Sequence, residues 1–436
     1  MKVCKIILLF ICVFSLAGIQ AQQDTAKKKE YFEENFLKYE NCIYKNNIRT
    51  VLLHRPGFEL SEPVILLGSD QKLLLSFDEL NGTIEHYKYM FIHCTSDWKP
   101  TQINPHKVMD GYDDADIRDF RTSNTTLQPY MHYELSFPND DIQFRISGNY
   151  IVLVFADDDP LKRALTARFC IVEPKVKIMA EVKRGNSLDD LERQQRIEFY
   201  LSASGAGLSD PYRNVDVIIR QNKRWDNAIT NLKPSLVNGD VLEYHHDYGS
   251  VFNGGNEFRF FDNKSVKYNS ENVDHIDAGD HLYEYYLKQD QKRNTKVYIT
   301  ETDINGRCLI TTVDGRDPSV DGDYTLVHFS LKYAPPFFDG SVYLCGALTQ
   351  WAFSKENKMI YNYSAKAYEL TLLLKQGYYN YEYLFVENGK KDGDESRIEG
   401  SHFEAENEYD IFVYYSDPML EYQRLMGWAV IQSRRK

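Results

Sequence analysis

The chain lacks a Gly-x-Ser-x-Gly elbow, a glycine-rich phosphate loop, a His-Glu-x-x-His helix and a dinucleotide fingerprint. Those motifs hold a nucleophile, a phosphate cradle, a zinc pair or a pyrophosphate turn at set spacing, so their absence leaves an enzyme no foothold. Glycosidase carboxylates are the exception, because their separation is three-dimensional and spacing along a chain does not test it. Cysteine is scarce, with seven in 436 residues and no Cys-x-x-Cys pair, which weighs against a structural zinc site or a redox motif. Past residue 21 no stretch approaches the ~18 consecutive apolar residues that a membrane-crossing helix needs. Basic residues are outnumbered 51 to 64, and the formal charge of −13 describes a surface that repels nucleic acid and anionic lipid headgroups.

What is present begins with a leader. Met1-Lys2-Val3-Cys4-Lys5 precedes an apolar run over 6–19 and Ala21, before polar Gln22-Gln23-Asp24, the pattern of a secretory signal peptide over 1–21. Ile19 at the minus-three position is larger than usual, so the cut after Ala21 has room to slip. Leu16-Ala17-Gly18 is followed by Ile19 where a lipoprotein would carry Cys, so the mature chain is expected to be exported and soluble, without a lipid anchor or direct membrane insertion. Cleavage removes Lys2 and Lys5 and no acid, which brings the charge to −15. It also removes Cys4 and Cys12. The remaining Cys42, Cys94, Cys170, Cys308 and Cys345 are an odd, scattered set, which is no disulfide framework and is expected to be mostly buried, inert thiols.

With 32 Tyr, 24 Phe and many alternating Val, Ile and Thr positions, the chain favours pleated surfaces. A polar arm over 22–45 contains Lys27-Lys28-Lys29-Glu30, with a short helix conceivable over 31–39. From residue 46 to 173, short apolar runs at strand spacing separated by Gly, Asn, Asp or Pro predict an antiparallel sandwich. Within it, Phe144-Arg145-Ile146 is expected to turn tightly through Ser147-Gly148-Asn149 into a strand from Tyr150. A middle β-rich region follows over 174–319, where Ser187 and Asp190 form an imperfect capping box for a helix over 187–195. A third β region spans 320–417. The tail, 418–436, reads as a short amphipathic helix over 420–431 with Arg434-Arg435-Lys436 at its C-terminal end. The fold class expected is all-β, a tandem of immunoglobulin-like sandwiches.

Between residues 77 and 155 short motifs follow in order: Phe77-Asp78-Glu79-Leu80, Tyr87-Lys88-Tyr89, His93-Cys94 with Asp97-Trp98, Gly111-Tyr112, Ser123-Asn124-Thr125-Thr126, Tyr130-Met131-His132-Tyr133 and Ser147-Gly148-Asn149-Tyr150. Further on come Gln221-Asn222, Trp225-Asp226-Asn227-Ala228 and Gly254-Gly255-Asn256-Glu257-Phe258. Then Gly346, Trp351, Met359 and Gly377-x-Tyr379-x-Tyr381 look like an early-set immunoglobulin-like module related to glycogen- and starch-binding domains, and Glu399-Gly400-Ser401-His402-Phe403 closes the series. Together the motifs resemble the plug family of the type IX secretion system of Bacteroidota, over nearly the whole mature chain. The resemblance implies a periplasmic, non-catalytic protein without cofactors. Its partner would be the giant outer-membrane β-barrel translocon, which it seals, with other secretion-system subunits as further candidates. No contact residue carries over from the family, and the motif residues are expected to be mostly structural.

Several constellations admit chemistry. His93-Cys94 beside Asp97 and Trp98 could lower a thiol pKa, but neighbours in a strand point to opposite faces, so a buried Cys with a packed Trp is the expectation and a reactive thiolate the alternative. Acids cluster at Asp113-Asp114-Ala115-Asp116, Asn139-Asp140-Asp141 and Asp157-Asp158-Asp159 without the EF-hand spacing, so solvated loops are expected, with calcium the alternative. His245-His246-Asp247 is the one adjacent His pair, expected to split between two faces, with a metal site the minor reading. Trp351, Trp98, Trp225 and the tyrosines of 378–383 could stack on pyranose rings. Alternation instead puts the Tyr row in a sandwich core, and leaves Trp351 open between the two roles. An exported glycan-binding protein is therefore the alternative to the plug.

Overall fold

In the computed structural model, which describes residues 36–187, 190–245 and 249–433, the regular secondary structure is almost all strand, joined by turns and loops. Helix is limited to single turns such as Pro105–Val108 and Pro318–Asp321. Proline pre-sets the first residue of each turn, and the side chain of Asn104 or Asp317 accepts the free backbone N–H of His106 or Ser319.

Alternation builds the first sandwich. In Tyr87–Cys94 the side chains of Tyr87, Tyr89, Phe91 and His93 face one way and those of Met90, Ile92 and Cys94 the other. This strand pairs with Gly148–Ala156, which pairs with Arg163–Val172; the facing sheet runs Ile48–His54, Leu73–Glu79, Met131–Phe137, Asp119–Thr122. Between them lies a core rich in rings, with Phe77 stacked on Tyr133 at 5.1 Å and Phe91 tilted against Phe137 at 4.9 Å. Every residue of Gly148–Ala156 is buried. Tyr150, Val152 and Val154 fill this core, while Ile151 on the opposite face enters a separate cluster with Cys94, Cys170, Ile218, Phe412, Tyr414 and Leu425. Burial on both faces is the reason the strand is continuously apolar from Tyr150 on.

That second cluster joins the first sandwich to a second one. There, Lys177–Arg184, Gln194–Ser202, Val241–Tyr244 and Leu236–Asn238 form one sheet, and Ile229–Leu232, Val215–Gln221, Glu408–Ser416 and Gln423–Gln432 the other. Ile197, Phe199, Leu201, Val217, Ile219, Ile411, Val413 and Met426 fill the space between. The third sandwich sets Arg259–Asp262, Gly377–Glu387, Cys308–Ile310 and Gly340–Cys345 against Val273–Ala278, Tyr283–Leu287, Tyr324–Lys332, Ala367–Lys375 and Ile360–Asn362. Segments on either side of residue 320 thus share sheets: Arg259–Asp262 pairs with Gly377–Glu387, and Val215–Gln221 with Glu408–Ser416.

Three local expectations are corrected. The tail helix over 420–431 is the strand Gln423–Gln432, because a short apolar run covered on both faces has no period that separates strand from helix; residues 434–436 lie outside the described residues. Ser187 and Asp190 close one turn, with Leu191 N donating to Ser187 O at 3.0 Å, and the chain is in strand by Gln194. Ile142–Phe144 does not fold back on Gly148–Ala156; it pairs with Met109–Gly111. Gly148 (φ +144°) carries the chain across the sheet instead, passing so close to His93 that a Cβ would lie 2.5 Å from Nε2. The leader and most of the arm lie outside the described residues; 36–39 is not helical.

If Gln423–Gln432 is a packed strand, Met426→Ala should cost about 2–5 kcal/mol, as for other fully buried methionines. Met419→Ala, at a side chain 94% exposed, should stay within about 0.5 kcal/mol of the parent. Urea unfolding measures both, and equal effects would mean that the tail is not packed.

Candidate functional site: charged seams between the sandwiches

Where the sandwiches meet, charge is buried. Between the first and third, Asp78 on Leu73–Glu79 is fully enclosed. Its carboxylate accepts from His132 Nδ1 (2.6 Å), Tyr324 OH (2.7 Å) and Lys375 Nζ (2.7 Å). Lys375 is 1% exposed, lies 4.1 Å from the Tyr130 ring centre and donates also to Ser319 O at 2.7 Å. His132 Nε2 meets Glu134 at 3.1 Å, and Arg121 links Glu134 to Asp317 across the rim. Burial alone would depress the His132 pKa; the carboxylates on both ring nitrogens outweigh it and hold the value above 6.5. For Lys375 burial prevails over Asp78, and its pKa is lowered.

The seam between the first and second sandwiches repeats the design. Arg220 bonds Glu62 of the first and Asp410 of the second, and Lys223 reaches the same two carboxylates at 3.1 Å each. Trp428 Nε1 donates to Asp410 at 3.1 Å. Beside these charges, Trp98 meets Trp225 edge-on at 5.2 Å, with Arg168 over Trp98 and Arg220 over Trp225. Asn149 accepts from Tyr414 OH at 2.8 Å and donates to Thr95 O at 3.0 Å. Between the second and third sandwiches, Arg224 donates to Asp226 (2.7 Å), Glu395 (2.9 Å) and Gly393 O (2.6 Å). Asn407 gathers Gln195, Asn222 and Gly254 O. Glu399, held well below the usual carboxylate range by Arg259 and Arg293 against the opposing effect of burial, anchors the adjoining wall. Removing one member of such a buried pair costs about 3–5 kcal/mol, because its partner is left charged and dry.

The motif residues lie in cores, seams and turns. Phe77 and Tyr87 pack in the first core; Tyr379 and Tyr381 pack in the third, with Tyr381 OH donating to Asp290 at 2.8 Å. His93 faces Tyr150, whereas Cys94 faces the second sandwich beside Trp98, so the two side chains diverge. Asp97 is exposed and pairs with Lys99. Ser147 Oγ accepts from Leu425 N at 3.2 Å, and Gln221 Nε2 donates to Asn253 O at 2.8 Å. Asn256 donates to Glu399 O, Tyr298 OH donates to Glu257, and Phe258 meets Trp351 edge-on at 6.1 Å. Trp351 is half-buried on a left-handed backbone after Gly346, and Gly255 likewise has positive φ. At Gly111 (φ +115°) a Cβ would collide with Asp141 O, and Gly377 is buried against Leu309 O.

Chemistry does not converge. All five described cysteines are free, and burial pushes the Cys94, Cys170 and Cys308 thiols up to about 12. Among the described residues no group of three or more His, Cys, Asp or Glu is placed to hold a metal. Lys88 bridges two of the acidic loops through Asp114 and Asp158, and His245 lies 3.6 Å from Glu198; His246 and Asp247 fall outside the described residues. A cleft of about 630 Å³ opens between Asn227, Phe252, Asp394 and Arg397, with a mainly polar lining. Sequence reasoning passed over Lys375, Asp410 and Asn407. A lone polar side chain inside an apolar strand, as in Tyr409-Asp410-Ile411-Phe412, was the available signal.

A family model described as the type 9 secretion system plug protein 1st domain matches residues 48–173, the extent of the first sandwich. A hypothetical protein from Parabacteroides merdae, known from a crystal structure, is 35% identical with a TM-score of 0.88, over 91% of this chain and 100% of its own. The chain belongs to the type 9 secretion system plug family. No curated protein matches it. Coverage on that scale carries the likeness of fold through all three sandwiches of this plug-family chain.

Two buried histidines give opposite pH limbs. Burial, only partly offset by Ser147 O, lowers the His93 pKa from 6.5 to about 4, so its contribution is complete above pH 6.5 and is lost as pH falls toward 4, by about 3 kcal/mol. His132 is raised, so its contribution is complete below pH 6.5 and is lost as pH rises through the elevated value. Urea midpoints across this range should show His132→Gln flattening the alkaline limb and His93→Gln the acid limb. Unchanged limbs in both variants would refute the assignment.

Proposed function

We propose that this protein docks on the periplasmic mouth of the secretion system's outer-membrane barrel and seals it between transport events, by fit and without catalysis. The observation that carries this reading is the set of buried ion clusters at every junction between sandwiches. Obstructing a wide conduit needs a broad, preorganised surface, because specific protein interfaces commonly bury ~1,200–2,000 Å² whatever their chemistry. Domains already locked to one another lose little further freedom on docking, so less of the contact energy is consumed by ordering. An acid-rich exterior suits a partly polar interface that must also release. A sugar-binding reading gains nothing from the aromatic row, since Tyr379, Tyr381 and Tyr383 are packed in the third core. The expected leader would deliver the chain to the periplasm, and no helix among the described residues is long and apolar enough to cross a membrane.

Tagged protein recovered from detergent-solubilised outer membranes should bring down a giant barrel, identified by mass. Cells lacking the protein should take up large dyes and antibiotics that intact cells exclude. Absence of the barrel from the pull-down, or an equally tight membrane in the deletion strain, would defeat the proposal.

A further inference from the structure

One end of the third sandwich is unlike the rest of this acidic surface. The loop after Tyr324–Lys332 reads Tyr333-Ala334-Pro335-Pro336-Phe337-Phe338, and the turn between Ile360–Asn362 and Ala367–Lys375 reads Tyr363-Ser364-Ala365-Lys366. Tyr333 N donates to Lys366 O at 3.1 Å and Tyr361 OH to Tyr333 O at 3.0 Å, so loop and turn form one tip. Phe337 is the anchor: its N–H donates to Tyr368 OH at 2.8 Å, and its ring lies 4.5 Å from Tyr333 and 4.4 Å from Phe385. With Phe337 turned inward, Phe338 is driven outward to 95% exposure on a loop whose two prolines restrict its backbone. Tyr363, on the adjoining turn, is 78% exposed and lies 5.0 Å from Tyr361.

The charge around these rings is net positive. The turn contains no acid, and the one acid of the loop, Asp339 beside Phe338, is paired with Arg397. Lys332 and Lys366 are exposed at the tip, and Lys292 reaches over Tyr333 at 5.7 Å. None of the three lysines has an ion pair among the described residues, whereas Asp339 is paired with Arg397 at 2.9 Å; Glu369 accepts from Asn362 at 3.0 Å and keeps its charge. The rings protrude, so the tip is no pocket for a small ligand, and what it fits is a surface that accepts apolar side chains a few ångströms deep while holding negative charge at its boundary. A phospholipid bilayer with anionic headgroups has that layering: rings enter the acyl boundary and lysines stay at the phosphates.

We propose that this tip is a membrane-contact site, through which Phe338 and Tyr363 enter the interface of an anionic phospholipid surface while Lys332, Lys366 and Lys292 pair with its headgroups. It is a local exception to an acidic body that otherwise repels such headgroups. The tip thereby fixes which end of the protein faces the bilayer. The inference does not depend on the barrel, and flotation tests it without one.

The full mature chain should float with phosphatidylethanolamine vesicles containing phosphatidylglycerol at low salt, and not with pure phosphatidylcholine vesicles. Lys332→Glu with Lys366→Glu should reduce the bound fraction about tenfold or more, an effect that shrinks as salt rises. Phe338→Ser with Tyr363→Ser should do the same at unchanged melting temperature, because both side chains are exposed. In a Phe338→Trp variant the introduced indole should shift its emission to the blue on binding and be quenched by brominated acyl chains. Failure of the parent to float, flotation undiminished in both double variants, or indole emission blind to brominated lipid would each overturn the proposal. So would loss of the barrel pull-down in Phe338→Ser with Tyr363→Ser when the parent does not float, which would assign the tip to a protein partner.

Discussion

A charge sealed between packed sheets must find its counterpart where it lies, because water cannot reach it. That requirement governs how the sandwiches of this plug-family protein are placed. Asp78 is matched by His132 of its own sheet and Lys375 of the third sandwich, Arg220 and Lys223 by Asp410 of their own sandwich and Glu62 of the first, and Arg224 by its neighbour Asp226 and Glu395 of the third, so each set crosses a seam. Desolvation offsets most of the Coulombic gain in such pairs, so they add little net stability over a well-packed apolar seam. What they add is selectivity: an apolar contact tolerates a slide of an ångström, whereas a carboxylate accepting three donors does not.

The apolar part of each seam follows from strands that serve two cores. Gly148–Ala156 fills its own sandwich with Tyr150, Val152 and Val154 and presents Ile151 to the next; Glu408–Ser416 does likewise with Ile411 and Val413 on one side and Phe412 and Tyr414 on the other. Polar atoms enter such strands only where they bond, as Asn149 does with Tyr414. The aromatic excess has the same origin. Tyrosine provides the area of a large apolar side chain and keeps a hydroxyl for the charges nearby, as Tyr324 does for Asp78 and Tyr381 for Asp290.

This explains which features were legible in the amino-acid order. Local alternation showed that His93 and Cys94 diverge and that the row from Tyr379 packs inward, because period two depends on the strand alone. The first sandwich was legible from its motifs, since most of them are core rings, turn glycines or seam residues close together in sequence. The tail was misread because Leu425-Met426-Gly427-Trp428 is apolar on both faces, and that removes the period by which a strand is told from a helix. The seams were illegible for a different reason. Lys375 and Asp78 stand 297 positions apart, and Lys375 closes the apolar run Leu372-Leu373-Leu374 like any basic residue at a strand end. Nothing in its neighbours names a partner. The charged tip escaped notice because its two halves, at 333–338 and 363–366, are each unremarkable until the fold ties them together.

Buried charge also decides how such a body can come apart. A slight opening of an apolar seam loses contact gradually. A slight opening at Asp78 or Arg224 separates the ions before a gap wide enough for water exists, so the first ångström is the most unfavourable and full hydration is the next stable condition. The junctions therefore behave as closed or open, with little between. A body of that kind transmits force instead of absorbing it by flexing at its junctions. A pull on any one sandwich is therefore passed to the others, and the three move as one unit until a seam opens.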